Sequence, residues 1–376
     1  MNAARQAEGN RVARRQRGLS LVELMVALVI GSVLIAGAVT VYSNSKKSYG
    51  ESEAISRLQE TARFAMSILE TDVRMANFWG LTKGPDGAKQ FAGRAAQTAA
   101  VSPVAGTPAL VICGNNFAVD LVNAVQGDND TYQLSLNNSR QPGCDTLPDF
   151  TSGNVWTTTP VATADTLTVR RASAFRQTVL PAPAGPLRLC TSRNTGSIVT
   201  DGGAACGPFP SNQVNDLIVN AYYVDRNSQQ RAGLPSLRRK MLVAIGGVPQ
   251  FRDQEVIAGV EDLQIQLGVD PLGTTGIATR YVDPNALLPV TAQVVAVRIW
   301  LLVRSDEAEN GFTDNRIYQY GDRAQANGVT GDLNAAAAGG LAYQPSASAD
   351  GSFTGPQHVR RLLITRTIQI RNVKGT

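Results

Sequence analysis

The sequence is short of the residues that most catalysis needs. It has one histidine, His358, in 376 residues. Every Ser-His-Asp or Cys-His arrangement would depend on that imidazole, which sits just before an apolar run and reads as a solvated loop residue. The four cysteines, Cys113, Cys144, Cys190 and Cys206, form no C-x-x-C pair, and with a single histidine this argues against a zinc site. There is no Walker loop and no dinucleotide fingerprint. Asp128-Asn129-Asp130 lacks the glycine and the terminal glutamate of an EF-hand and reads as an acidic turn. No enzyme activity, cofactor or metal is expected. Charged residues are also scarce at 17%, and aromatics stand at 6%. A soluble cytosolic domain carries about a quarter charged residues. The stretches between apolar runs are instead rich in Gly, Ala, Ser, Thr and Asn, as suits an exported β-rich domain with long loops.

The formal charge of +5 is unevenly placed. Arg5, Arg11, Arg14, Arg15 and Arg17 against Glu8 put +4 in residues 1–18, which leaves +1 for the rest. A basic tail directly before an apolar run reads as a topogenic signal that keeps the N-terminus in the cytoplasm. A near-neutral remainder argues against nucleic acid as a partner. Arg238-Arg239-Lys240 is a short basic run without a neighbouring aromatic platform, and reads as an exposed strand edge protected by charge.

Residues 19–42, LSLVELMVALVIGSVLIAGAVTVY, hold one charge, Glu23. As a helix they reach about 36 Å, enough to cross a bilayer core. The run is longer than a signal-peptide apolar region, and Ser43-Asn44-Ser45-Lys46 offers no small-residue cleavage site. An ionisable group inside such a span costs about 2.5–3.5 kcal/mol on insertion scales, so Glu23 needs a partner. Cleavage after Gly18 would create one, because the new α-amine of Leu19 lies four residues before Glu23 and could meet the carboxylate of a neighbouring subunit. Small residues at Ala27 and Gly31, and at Ser32 and Ala36, allow close helix packing in lipid.

The string Arg17-Gly18-Leu19-Ser20-Leu21-Val22-Glu23-Leu24 resembles the prepilin peptidase site of type IV pilins and type II secretion pseudopilins. The resemblance implies that Gly18 is recognised by the peptidase, that Leu19 becomes a methylated N-terminus, and that Glu23 serves assembly. Leu19 departs from the family's usual Phe or Met. Further on, Ile55, Leu58, Ala62, Ala65, Leu69, Val73 and Ala76 recur at steps of three and four, an apolar stripe on one helix face. Arg63–Ala76 followed by Trp79-Gly80 is similar to the helix end of PilW-type minor pilins and the related J-type pseudopilins. Val260–Asp270, Val295–Ser305 and Thr365–Asn372 are similar to strands of the same group.

The expected organisation is a cleaved leader at 1–18, a transmembrane helix at 19–42, an amphipathic continuation at 43–80 ended by Gly84-Pro85-Asp86-Gly87, and an exported domain at 81–376. Strand-like runs at Ala109–Cys113, Thr166–Arg171, Asp216–Val224, Leu237–Ile245, Gln264–Val269, Gln293–Val303 and Arg361–Ile370 give an α+β fold, a long helix laid on an antiparallel sheet. Residues 124–160 and 322–357 read as long loops. Four cysteines allow three pairings. The sequential one, Cys113–Cys144 with Cys190–Cys206, is preferred because each bond closes a local loop.

By resemblance, the protein is a minor pilin. It joins other minor pilins in a membrane priming complex, starts the filament and ends at its tip. The implied partners are those pilins, the major pilin, the prepilin peptidase, the inner membrane and, at the tip, an adhesin. The implied location is the bacterial inner membrane, with a periplasmic C-terminal domain, and then the pilus. A minor pseudopilin of a type II secretion system shares these signals. A DNA-uptake or adhesive receptor pilin is the alternative from another class.

Overall fold

Good helix formers and the absence of proline before Pro85 let one helix, α1, run unbroken over Leu21–Met75. The computed structural model describes residues 20–82, 117–132 except 122 and 131, 146–177 except 151, 152 and 162, 185–193, 196–199, 206, 212–321 except 285, 287, 289–291 and 310, and 358–373. α1 passes through residue 42 without a break. The helix ends before the expected Gly84-Pro85-Asp86-Gly87 signal, which lies outside the described residues. It stops at Met75, where Asn77 takes a left-handed conformation with φ 62°. Asparagine tolerates that conformation better than most residues and so ends helices. Ala76 N–H donates to Val73 O and Phe78 N–H to Met75 O, tightening the final turn.

The chain divides into two compact units, 1–54 and 55–376. In the first, the described residues are helix, and its aliphatic side chains, among them Leu24, Leu28, Leu34 and Ile35, are exposed. In the second, the apolar stripe meets β-structure. Leu58, Ala62, Ala65, Leu69, Val73 and Ala76 are all buried in one core, while Ile55, the first of the stripe, is exposed.

Among the described residues the strands form two main sheets and a hairpin, where a single sheet is expected. The larger has seven strands: β1 (Val125–Asp128), β4 (Thr166–Arg176), β5 (Arg188–Thr191), β6 (Gly196–Val199), β7 (Gln213–Asp225), β8 (Ser236–Ile245) and β9 (Val248–Ala258). β7 is its spine. One edge of β7 pairs with β4, and the other is shared between β5 over Gln213–Asp216 and β8 over Asn220–Asp225. The smaller sheet runs β11 (Arg280–Val282), β10 (Val260–Asp270), β12 (Gln293–Arg304), β13 (Arg361–Gln369). β2 (Thr146–Pro148) and β3 (Val155–Thr157) make the hairpin. β1, β2 and β3 fall inside the stretch read as a loop at 124–160; the stretch at 322–357 lies outside the described residues, as does the strand expected at Ala109–Cys113.

Two glycine positions explain the route of the chain. Gly246 and Gly247, with φ 59° and 81°, join β8 to β9 in the two-residue turn that suits the twist of a hairpin. Gly259, at φ 92°, carries the chain from one sheet to the other. A Cβ there would stand 3.1 Å from Arg304 O, so a side chain would crowd the first strand pair of the second sheet.

Both sheets contribute to the core under α1. Leu167 and Val169 of β4 and Tyr222 of β7 come from one, and Leu263, Ile265, Val297, Ile299 and Leu301 from the other. The alternating face Val295, Val297, Ile299, Leu301 and Val303 is buried throughout. A second core lies around Trp79, Phe117, Leu189, Tyr223 and Phe251. The α+β class holds.

Candidate anchor and assembly site

The anchor begins with a cap. Ser20 stands just before α1 and its Oγ accepts the Glu23 N–H at 3.1 Å, while Ser20 O accepts the Leu24 N–H at 3.1 Å. This is the serine half of a capping box, and Ser20-x-x-Glu23 is a sequence signal for it that the assembly reading of Glu23 leaves unused. Glu23 is exposed on the helix, in a position open to a second chain. Gly18 and Leu19 lie outside the described residues. α1 holds the one segment among the described residues that is long and apolar enough to cross a membrane. Exposed aliphatic surface on this scale marks a helix that belongs in lipid or among other helices.

The far end of the helix is fastened by polar groups. Asp72, buried on α1, accepts hydrogen bonds from Arg171 Nη2 at 2.9 Å and Nε at 3.3 Å, from Asn220 Nδ2 at 2.5 Å and from Tyr222 OH at 2.5 Å. β4 supplies the arginine and β7 the other two. Burial and the Asp72 carboxylate push the Tyr222 hydroxyl well above the ordinary phenol range, which keeps it a donor. Glu70 pairs with Arg74 on its own helix and with Arg366 of β13. Past the helix, Asn77 Nδ2 donates to Asn372 O at 2.8 Å and Asn372 Nδ2 donates to Ala76 O at 3.2 Å. Arg371 N–H reaches Arg74 O, Asn77 N–H reaches Arg170 O, and Ala172 N–H reaches Phe78 O. Asp72 and Asn77 carry no local sequence signal for these roles, because their partners lie about 100 to 300 residues away.

Elsewhere the buried charges are structural. Arg238 and Lys240 are fully buried, so Arg238-Arg239-Lys240 is not an exposed edge. β8 lies between β7 and β9, and there Arg238 Nε meets Asp253 Oδ1 at 2.6 Å and its guanidinium stacks 3.7 Å from the Trp156 ring. His358 is exposed and its Nδ1 lies 2.7 Å from Phe312 O. Asp128 belongs to β1, and Asp130 has φ 48° in the turn after it. Among the described residues no group of three metal-ligating side chains converges. Cys190 and Cys206 form a disulfide, Cα atoms 5.7 Å apart, as the sequential pairing requires; Cys113 and Cys144 lie outside the described residues. A loop this short constrains the unfolded chain by about 3 kcal/mol.

One loop is held by a single carboxylate. Asp270 accepts the N–H groups of Leu272, Thr275 and Gly276 and the hydroxyl of Thr275. Burial pushes its pKa up, but these bonds outweigh it and hold it down at about 2. Asp270→Ala is expected to open residues 271–277 to limited proteolysis while the far-UV spectrum stays unchanged; a cleavage pattern identical to wild type would refute the role.

A family model described as the type IV pilus-assembly protein W matches residues 221–372, and the prokaryotic N-terminal methylation motif matches residues 13–39. Over these two stretches, less than half of its length, the chain is similar to PilW-type minor pilins. Among solved structures, a type IV-like pilin from Thermus thermophilus matches at 14% identity and a TM-score of 0.26, over 58% of this chain and 84% of that one. No match was found among curated proteins. The PilW match covers β8 through β13 and Asn372, and the methylation motif covers Arg14, Arg15 and Arg17 together with Ser20 and Glu23. The methylation-motif match therefore runs onto the exposed apolar half of α1, while the assembly-protein match falls on strands among those that receive the other half.

Proposed function

We propose that this pilin is cut after Gly18, methylated on Leu19, and joined through its exposed apolar helix to other minor pilins in a membrane complex that primes the filament and then rides at its tip. It acts as a structural subunit and not as a catalyst. Its orientation places residues 1–18 in the cytoplasm and residues 81–376 in the periplasm, and its partners are the other minor pilins, the major pilin and the prepilin peptidase. The observation that carries this reading is Glu23, exposed, the one charge in the apolar stretch 19–42 and standing inside the methylation motif. A bare carboxylate there is costly in lipid, and the amine of a processed neighbour would neutralise it.

Intact mass and N-terminal sequencing of protein from native membranes, with and without the peptidase, test the processing. The expected product begins at methylated Leu19 only when the peptidase is present, and a chain that keeps residues 1–18 in both strains overturns the reading. For assembly, Glu23→Ala is expected to leave processing intact while abolishing co-isolation with other minor pilins from detergent extracts. Undiminished co-isolation would remove Glu23 from the assembly role.

A further inference from the structure

The stripe that seats α1 is apolar and periodic. Leu58, Ala62, Ala65, Leu69, Val73 and Ala76 follow one another at steps of three and four, so a helix moved along its axis by one turn, about 5.4 Å, presents a similar face to the sheets. Hydrophobic contact has no direction, and it distinguishes such neighbouring registers weakly. The Asp72 hub does have direction. One turn of sliding would draw the carboxylate away from Arg171, Asn220 and Tyr222 at once and leave a charge buried without its donors. The clasp at Asn77 and Asn372 closes on the same stretch of helix, and is made of backbone groups and two amides that fit one position only.

We propose that the Asp72 hub and the Asn372 clasp lock the register of α1 against the two sheets and form the joint through which tension on the anchor helix passes into the exported domain. α1 is continuous from Leu21 to Met75, so a pull on its apolar half arrives at Asp72 undivided. Arg171 lies on β4 and Asn220 and Tyr222 on β7, the strand that pairs with β4, β5 and β8, so the joint spreads the pull through the spine of the larger sheet. Arg371 and Asn372, just beyond β13, bring in the smaller sheet. This holds for any filament subunit and does not require the priming role.

The test is constant-force spectroscopy on the full chain in a lipid nanodisc, held by the disc and by a chemical handle at exposed Leu272, with detachment of α1 as the event scored. Asp72→Asn and Asn372→Ala are each expected to shorten the lifetime of the joint, Asp72→Asn by about tenfold or more. Leu189→Ala, a cavity in the second core, is expected to lower overall stability in urea without altering that lifetime. Circular dichroism confirms folding of each variant before it is pulled. Wild-type lifetimes in both joint variants would overturn the proposal, and so would a Leu189→Ala lifetime as short as theirs.

Discussion

Arg361→Ala is expected to lower the unfolding free energy by about 3–5 kcal/mol, a large share of the stability of an ordinary domain. Arg361 opens β13 and is buried. Its Nε and Nη2 hold the two oxygens of Glu261 at 2.5 and 3.1 Å, and its Nη1 lies 3.3 Å from Asp314 Oδ2. Glu261 is fully buried at the start of β10, where the other nearby cation is Arg304 at 3.5 Å. Truncating Arg361 leaves the Glu261 carboxylate out of water without its main partner, while Asp314 keeps Tyr318 and Arg316, and the Glu261 penalty, not the net worth of the pair, dominates the loss. Adding Glu261→Gln is expected to recover part of it, since an amide is not a buried charge. Urea unfolding of the full chain in detergent reads the change as a lower midpoint at constant slope. A loss below about 1 kcal/mol, the size of an exposed ion pair, would show that the pair is solvated.

Asp128→Asn is expected to stabilise the protein at pH 8 and to leave it unchanged near pH 4. Burial raises the Asp128 carboxyl from 3.8 to about 7, offset in part by the Thr166 hydroxyl. The folded state then binds a proton that the unfolded state has already lost, so stability falls as pH rises between about 4 and 7, and the penalty is constant above that window. The shift corresponds to at most about 4 kcal/mol, and relaxation of β1 at the sheet margin brings the realised figure nearer about 2 kcal/mol. Asparagine keeps an acceptor for Thr166 and never ionises. Thermal melts at pH 4, 6 and 8 should therefore diverge with rising pH, with the variant on top. Parallel curves would place Asp128 in contact with water.

The stripe over 58–76, the alternation along β12 and the apolar span are legible in the sequence because each reports a face, and a face is a local property. The strand runs at 166–171, 216–224, 237–245, 264–269 and 293–303 all lie within β4, β7, β8, β10 and β12. Structure and sequence part where tertiary partners override composition. Pro249, Arg252, Asp253 and Glu255 disguise β9 as a polar connection, yet Asp253 is buried against Arg238. The same pairing turns Arg238 and Lys240 from an exposed edge into an interior strand. Helix termination at Asn77 hides behind a stronger glycine-proline signal downstream, because only the grip of Asn372 and Arg170 makes the earlier stop favourable. Glu23 stands out in the sequence as an anomaly, and Ser20, three residues before it, is equally visible as its cap.

The pairing of Asn77 with Asn372 spans 295 positions of sequence. A chain that emerges from the ribosome in order presents its helix end early, then waits for the strands β1 to β13 before the matching residues arrive. Until then the Asn77 Nδ2 and the carbonyls of Arg74 and Ala76 lack these partners. A product broken off anywhere before residue 371 has no means of closing them, however well its first strands have folded. The contact therefore closes last: a chain ending before residue 371 still seats α1 through Asp72, Arg171, Asn220 and Tyr222, but leaves the last turn of the helix without its outer grip.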